Sequence, residues 1–334
     1  MTDVSPKLAN EKMSFTNPKN VSNFLNKFGS FLALFLVFGF FAILNSKIAT
    51  LTAMETIVQQ TVIVGVAAIG MTLVIISAGI DLSTGSIIAM GSVAVALLFK
   101  SFGFSPLFAA IGGILAGLFW GFLNGFLITR LKVVPFIVTL GTLLVVRGFA
   151  KGLANSMPIN VGQTWLSNLL ATLPPDKKWL LIPPGAWLMI GLALLIAGFL
   201  RYTQLGRHIF AIGSNEQTAR LCGVAVERVK LFVYSLAGAF SGLAGVMLMS
   251  YQEQGDPTGA VVMELDIIAA VVIGGGSLSG GEGSILGSII GALIMTVIRT
   301  GCQLNGWPTW VTQVVTGGVI VAAVAVDRLR HQKN

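Results

Sequence analysis

RYTQLGRHIFAIGSNEQTARLCGVAVERVK, residues 201–230, lies between two long apolar runs and shares almost none of their character. It carries Arg201, Arg207, Arg220, Arg228 and Lys230 against Glu216 and Glu227, so it belongs in water or against another protein. Its second half reads as a short helix over about residues 215–222. Ser214 or Asn215 caps it, Glu216 puts an anion in the first turn where the dipole favours one, and Gly223 ends it. Ala219 and Cys222 fall on one side of that helix, with Arg220 beside them. A bare turn would join two spans at less cost, so a helix here points to a docking element for a soluble partner on the cytoplasmic face. A solvated loop containing one helical turn is the plainer alternative.

The flanking chain sets the context. Of 334 residues, 54% are hydrophobic and only 10% are charged, against about 25% charged in a soluble domain. This is the composition of an integral membrane protein. The apolar runs are long and do not alternate, which favours a helical bundle over a barrel. Ten segments qualify as spans of mostly apolar residues: 30–44, 56–77, 84–99, 106–129, 134–150, 184–200, 231–250, 265–275, 284–300 and 310–326. The fold expected is therefore all-α and polytopic, a transmembrane domain over 30–326 between tails at 1–29 and 327–334.

Orientation follows from Lys and Arg, so the net charge of +8 is read as topology and not as a nucleic-acid signal. With the N-terminus inside, segments 1–29, 130–133, 201–230 and 327–334 hold 14 of the 21 basic residues. Lys47, Lys100, Lys151, Lys177 and Lys178 fall outside, with Arg147 and Arg299 near span ends. Both termini are then cytoplasmic. The outer connection 151–183, with Trp165, Trp179, Pro158, Pro174, Pro175 and Pro183, is too long for a turn. It reads as a surface helix near 163–173 at the lipid interface, or as an irregular cap. Cys222 and Cys302 lie on different sides and imply neither disulfide nor metal. His208 and His331 are lone histidines in polar segments, and no cleavable signal is expected at the N-terminus.

Two breaks interrupt the apolar runs. The first holds Gly79, Asp81, Ser83 and Gly85, with Asp81 its one acid. A charge at membrane depth faces a cavity or a partner. Alternatively Asp81 is an exposed N-cap; Ser83 is a second cap candidate for the helix that follows. The second break holds Gly275, Gly276, Ser277, Gly280 and Gly281, with Glu264 and Asp266 upstream at the start of a short span. Both are candidates for a pathway or gate. Neither is a nucleotide cradle, because no glycine in the chain precedes a lysine as a P-loop requires. Glycines at 112, 113, 117 and 121, at 238, 242 and 245, and at 287 and 291 are spaced for close helix crossing. No paired acid and base, nucleophile or metal set stands in the spans, so neither a catalytic role nor a cofactor is expected. A proton-coupled transporter using Asp81, Glu264 or Asp266 remains an alternative, since such transporters also have broken spans.

Four stretches together resemble the permease subunits of ribose-type ATP-binding-cassette sugar importers: GMTLVIISAGIDLSTGSIIAM (70–90), VVPFIVTLGTLLVVRGFA (133–150), AIGSNEQTARLCGVAVERVKLFVYSLAGAFSGLAG (211–245) and ELDIIAAVVIGGGSLSGGEGSILGSIIGALI (264–294). The resemblance implies a fold similar to vitamin B12-type (type II) importer permeases and a place in the bacterial inner membrane. It also implies a second permease, identical or related. The other partners implied are an ATPase subunit with two fused nucleotide-binding halves and a periplasmic sugar-binding protein. Gly213, Asn215, Glu216, Ala219, Arg220, Gly223, Val224 and Lys230 would lie in the element that seats in the ATPase. The related branched-chain amino-acid permease is the same machine with another cargo. No aromatic-plus-amide sugar cradle stands out in the spans, so sugar affinity is expected to reside in the binding protein.

Overall fold

A computed structural model describes residues 18–172 and 180–331; Trp179, Pro174, Pro175, Lys177 and Lys178 of the outer connection, residues 1–17 of the N-terminal tail and residues 332–334 of the C-terminal tail lie outside that range. Twelve α-helices follow in order: α1 (Pro18–Leu44), α2 (Leu51–Ile76), α3 (Thr84–Lys100), α4 (Pro106–Leu131), α5 (Pro135–Leu153), α6 (Pro184–Tyr202), α7 (Gln204–Ser214), α8 (Glu216–Leu221), α9 (Val226–Gln252), α10 (Met263–Ile273), α11 (Ile285–Leu304) and α12 (Thr309–His331). Their starts have local causes. Proline opens α4, α5 and α6, where its missing N–H costs nothing. Thr50, Thr203 and Ser284 cap α2, α7 and α11 through side-chain oxygens.

The molecule is an all-helical polytopic membrane protein. Helices α2, α4, α5, α6, α9 and α11 are each long and apolar enough to cross a bilayer. All ten segments expected from hydropathy are helical, although α3 and the apolar parts of α1 and α12 are shorter and α10 has only 11 residues. The most apolar window of α2 is 94% buried, whereas that of α5 is 22% buried. So α2 is the axis of the bundle and α5 is peripheral. Phe119, Phe122, Phe126, Leu144, Phe149 and Leu194 are exposed on α4, α5 and α6, as a lipid-facing belt requires. The small-residue faces are crossings: a Cβ on Gly117 or Gly121 would overlap the backbone of Gly238, and Gly274 is pressed in the same way onto Gly287.

The outer connection is not a surface helix. It forms a 3₁₀ turn at Ser167–Leu169 with Leu166 and Leu170 buried. Gln59 Nε2 donates to the Leu170 carbonyl at 2.8 Å, and Ser250 Oγ donates to that of Leu166 at 2.7 Å. The leucines gain more by entering the bundle than by lying along the interface. Strand β1 (Ile159–Asn160) pairs antiparallel with β2 (Gln254–Gly255), a pairing the sequence had not signalled.

From β2 a non-helical stretch, residues 253–262, runs along α3. Gly255 packs on Ser92, Val93 and Ala96, and Ala260 and Glu264 reach Gly85. Helix α10 therefore begins beside the N-terminus of α3, inside the bundle. Unwound backbone survives away from water only if protein satisfies it. Arg147 of α5 does so, its Nη1 donating to the carbonyls of Pro257 (3.1 Å) and Gly259 (2.6 Å). Arg147, counted with the outer charges on sequence, is a structural donor within a helix. Arg299 of α11 is likewise internal, paired with Asp266.

Candidate functional site

The charged segment holds two helices, where the sequence suggested one. Asn215 ends α7 and caps α8, its Oδ1 accepting from the Thr218 amide at 2.8 Å. The competing cap, Ser214, is the last residue of α7. Gly223, at φ +86°, terminates α8, and the amide of Val224 returns to the carbonyl of Ala219 at 3.0 Å. Ala219 is buried, but Cys222 is exposed and does not share its face.

Four charges fix α8 to the start of α9. Glu216 bonds Lys230 Nζ at 2.6 Å and Arg220 at 3.3 Å, and Arg220 also pairs with Glu227. Partial burial acts to raise the Glu216 pKa, but Lys230 and then Arg220 together outweigh it and hold the carboxyl below the ordinary glutamate value. The outward face keeps Gln217 and Leu221, the latter 88% exposed. Nothing along the chain singles out Leu221, because its exposure depends on where α8 lies.

Gly213 joins this segment to both breaks. It is buried, and a Cβ there would overlap the Ile76 carbonyl oxygen and the Gly281 amide. That amide donates to Ile76 O at 2.9 Å, while Gly280 packs between Ala78 and the Gly213 carbonyl. Gly280 and Gly281 have φ of +86° and +78°, which a residue with a Cβ adopts only at a cost. The end of α2, the end of α7 and the glycine loop before α11 thus meet at backbone contact. Gly275 (φ +92°), Gly276 and Ser277 shape the loop's far side, where the amides of Gly275 and Gly276 close onto Val272 and Val271.

Asp81 is not an exposed cap: it is 1% exposed. Its Oδ1 accepts from both the amide and the hydroxyl of Ser83, and Asn124 Nδ2 donates to that hydroxyl at 2.8 Å. Ser83 therefore serves Asp81 and makes no side-chain cap on α3. The Tyr234 hydroxyl lies over Gly79, where a Cβ would overlap it. Asn124 and Tyr234 were missed on sequence because no local pattern ties either of them, on α4 and α9, to Asp81.

Glu264 and Asp266 lie apart from that cluster. The Glu264 carboxylate packs on Gly85 at the positive end of α3, and Asp266 is 4% exposed in its ion pair with Arg299. Asp266 and Arg299 also line a cavity of about 150 Å³ between α2, α9, α10 and α11, together with Gln60, Tyr251, Gln252 and Gln303. Three amides and a tyrosine thus line one pocket, a grouping that does not stand out along the sequence. They come from three helices, so no local pattern joined them.

Comparison with known proteins agrees with the fold. Residues 53–324 match the family described as branched-chain amino acid transport system / permease component. The chain is 37% identical to the ribose import permease protein RbsC of Escherichia coli, over 90% of this chain and 94% of that one. It is 40% identical to RbsC of Bacillus subtilis (91% and 93%) and 35% identical to the fructose import permease protein FrcC of Rhizobium meliloti (86% and 81%). No solved structure matches significantly. The chain belongs to this permease family, among the ATP-binding-cassette importer permeases of the ribose type.

Proposed function

We propose that the chain forms the pathway by which an ATP-driven importer carries a monosaccharide, ribose-like in size, across a bacterial inner membrane. Membership of the family implies ATPase and substrate-binding partners in general. In this reading the ATPase has two fused nucleotide-binding halves, the binding protein is periplasmic, and a second permease completes the pathway. The ten helical segments are ten spans of a vitamin B12-type fold with both termini cytoplasmic, residues 151–183 periplasmic and 201–230 cytoplasmic. Support comes from the 14 basic residues on the inner side, and from Arg147 and Arg299 being engaged within the bundle. A sugar is preferred to an amino acid because the relatives named above import ribose and fructose.

The observation that carries this reading is the junction at Gly213. A push on α8, held to α9 by Glu216, Arg220 and Lys230, reaches α2 and the glycine loop with no side chain between to absorb it. Closure of the ATPase would then rock α6 and α9 and shift both breaks together, with Gly79, Asp81, Ser83, Gly85, Glu264, Asp266 and the loop glycines as the moving gate. Right-side-out proteoliposomes loaded with ATP, carrying the complex co-purified with this chain and given its binding protein outside, test it. Labelled D-ribose uptake that needs ATP and survives a proton ionophore is expected. Uptake of L-leucine in preference, or uptake driven by a proton gradient without ATP, would remove the reading.

A further inference from the structure

The cavity between α2, α9, α10 and α11 has wall chemistry that coupling alone does not require. The side-chain amides of Gln60, Gln252 and Gln303 line it, and among the described residues none of them has a hydrogen-bond partner. Each is free to donate and to accept, which is what a ring hydroxyl needs. Tyr251 adds an aromatic face, and Met263 and Met295 add apolar wall for C–H groups. The charged groups, Asp266 and Arg299, neutralise each other, so the cavity has no unpaired charge to offer. A zwitterionic amino acid would find neither of its charges matched, whereas a neutral polyol finds hydrogen bonds throughout. A volume of about 150 Å³ is on the scale of a single small ligand.

Position fits as well. Gln60 lies sixteen residues before Ile76 on α2, about 24 Å of helix from the Gly213 junction. The cavity is therefore at the end of the bundle remote from the ATPase-facing segment, beside the start of broken helix α10.

We infer that this cavity is a low-affinity receiving site for a neutral polyol of pentose or hexose size, entered after release from the binding protein; the inference rests on the monosaccharide reading above. The amides supply orientation, and the internal ion pair keeps the walls polar without holding charge. Weak binding is part of the design, since a site that held sugar tightly would stall passage.

Saturation-transfer NMR on the full-length chain in lipid nanodiscs tests it, with D-ribose as probe and L-leucine as control. Ribose should receive saturation and leucine should not. The double variant Gln60→Ala/Gln303→Ala should weaken ribose binding by about ten-fold, as expected for the loss of two neutral hydrogen bonds. Neither amide supports the fold, so a normal melting temperature is expected for that variant. Equal ribose signals in wild type and double variant, or none in wild type, would overturn the receiving site. Ribose uptake by the co-purified complex separates the two levels: ATP-driven uptake without cavity binding removes this site alone, whereas leucine uptake in place of ribose removes the monosaccharide reading beneath it.

Discussion

The backbone amide of Gly281 donates a 2.9 Å hydrogen bond to the carbonyl of Ile76, joining the glycine loop before α11 to the last turn of α2. Gly213 lies against both atoms with no room for a Cβ. Three segments far apart in sequence therefore move as one body or must break that contact.

Replacing Gly213 with alanine should be far more damaging than its size suggests. The added methyl would displace backbone on two neighbours, and overpacking of that kind costs about 1–3 kcal/mol or more. A lowered melting temperature in detergent, with uptake reduced, is expected. A variant as stable and active as wild type would mean the junction is looser than described.

Arg220→Glu should uncouple without unfolding. It removes two ion pairs and sets a third carboxylate beside Glu216 and Glu227 on a water-exposed element. ATP hydrolysis and membrane level should persist while uptake falls roughly 5–150-fold, the range of a typical coupling free energy. Leu221→Asp should act similarly by removing the exposed apolar contact. Unchanged uptake in both would end the coupling assignment of α8.

The ties between α8 and α9 should loosen in acid. The folded pKa of Glu216 is below its unfolded value of about 4.3, so its contribution is complete above that value and is lost as pH falls through the lower folded one. Glu216 is largely solvent-screened, which keeps the effect within the range of about 0–1 kcal/mol for exposed pairs. Hydrogen exchange over residues 216–221, corrected for intrinsic rate, should lose protection below the glutamate range in wild type but show no such step in Glu216→Gln. Parallel profiles would contradict this.

Asp81→Ala should destabilise by about 1–3 kcal/mol, because it strands the Ser83 amide and hydroxyl inside the bundle. Asp81→Asn retains an acceptor for them and should be milder. The ordering is read by thermal unfolding; equal effects of the two variants would show that the charge, and not the acceptor, is what matters.

The ten apolar segments, the short helix with its Asn215 cap and Gly223 stop, and both breaks were legible because each is a local pattern of hydropathy, cap chemistry or glycine. What was not legible depends on assembly. Arg147 read as a charge near a span end, and it satisfies the carbonyls of Pro257 and Gly259 across 110 residues or more. Helix α7 was hidden in the same polar run as α8, since its buried Ile209 and Ile212 carry only a short apolar stripe. The Gly213 junction left no sequence signal beyond a glycine among 40, and the amides of the cavity became a group only when three helices met.

The native thiol of Cys222 tests the central claim most directly. It is exposed one residue beyond α8, whereas Cys302 is buried. A membrane-impermeant maleimide should label Cys222 in inverted vesicles and leave it untouched in right-side-out ones, and a bound ATPase should protect it. Labelling from the outer side of sealed right-side-out vesicles would place α8 on the wrong face and contradict the account.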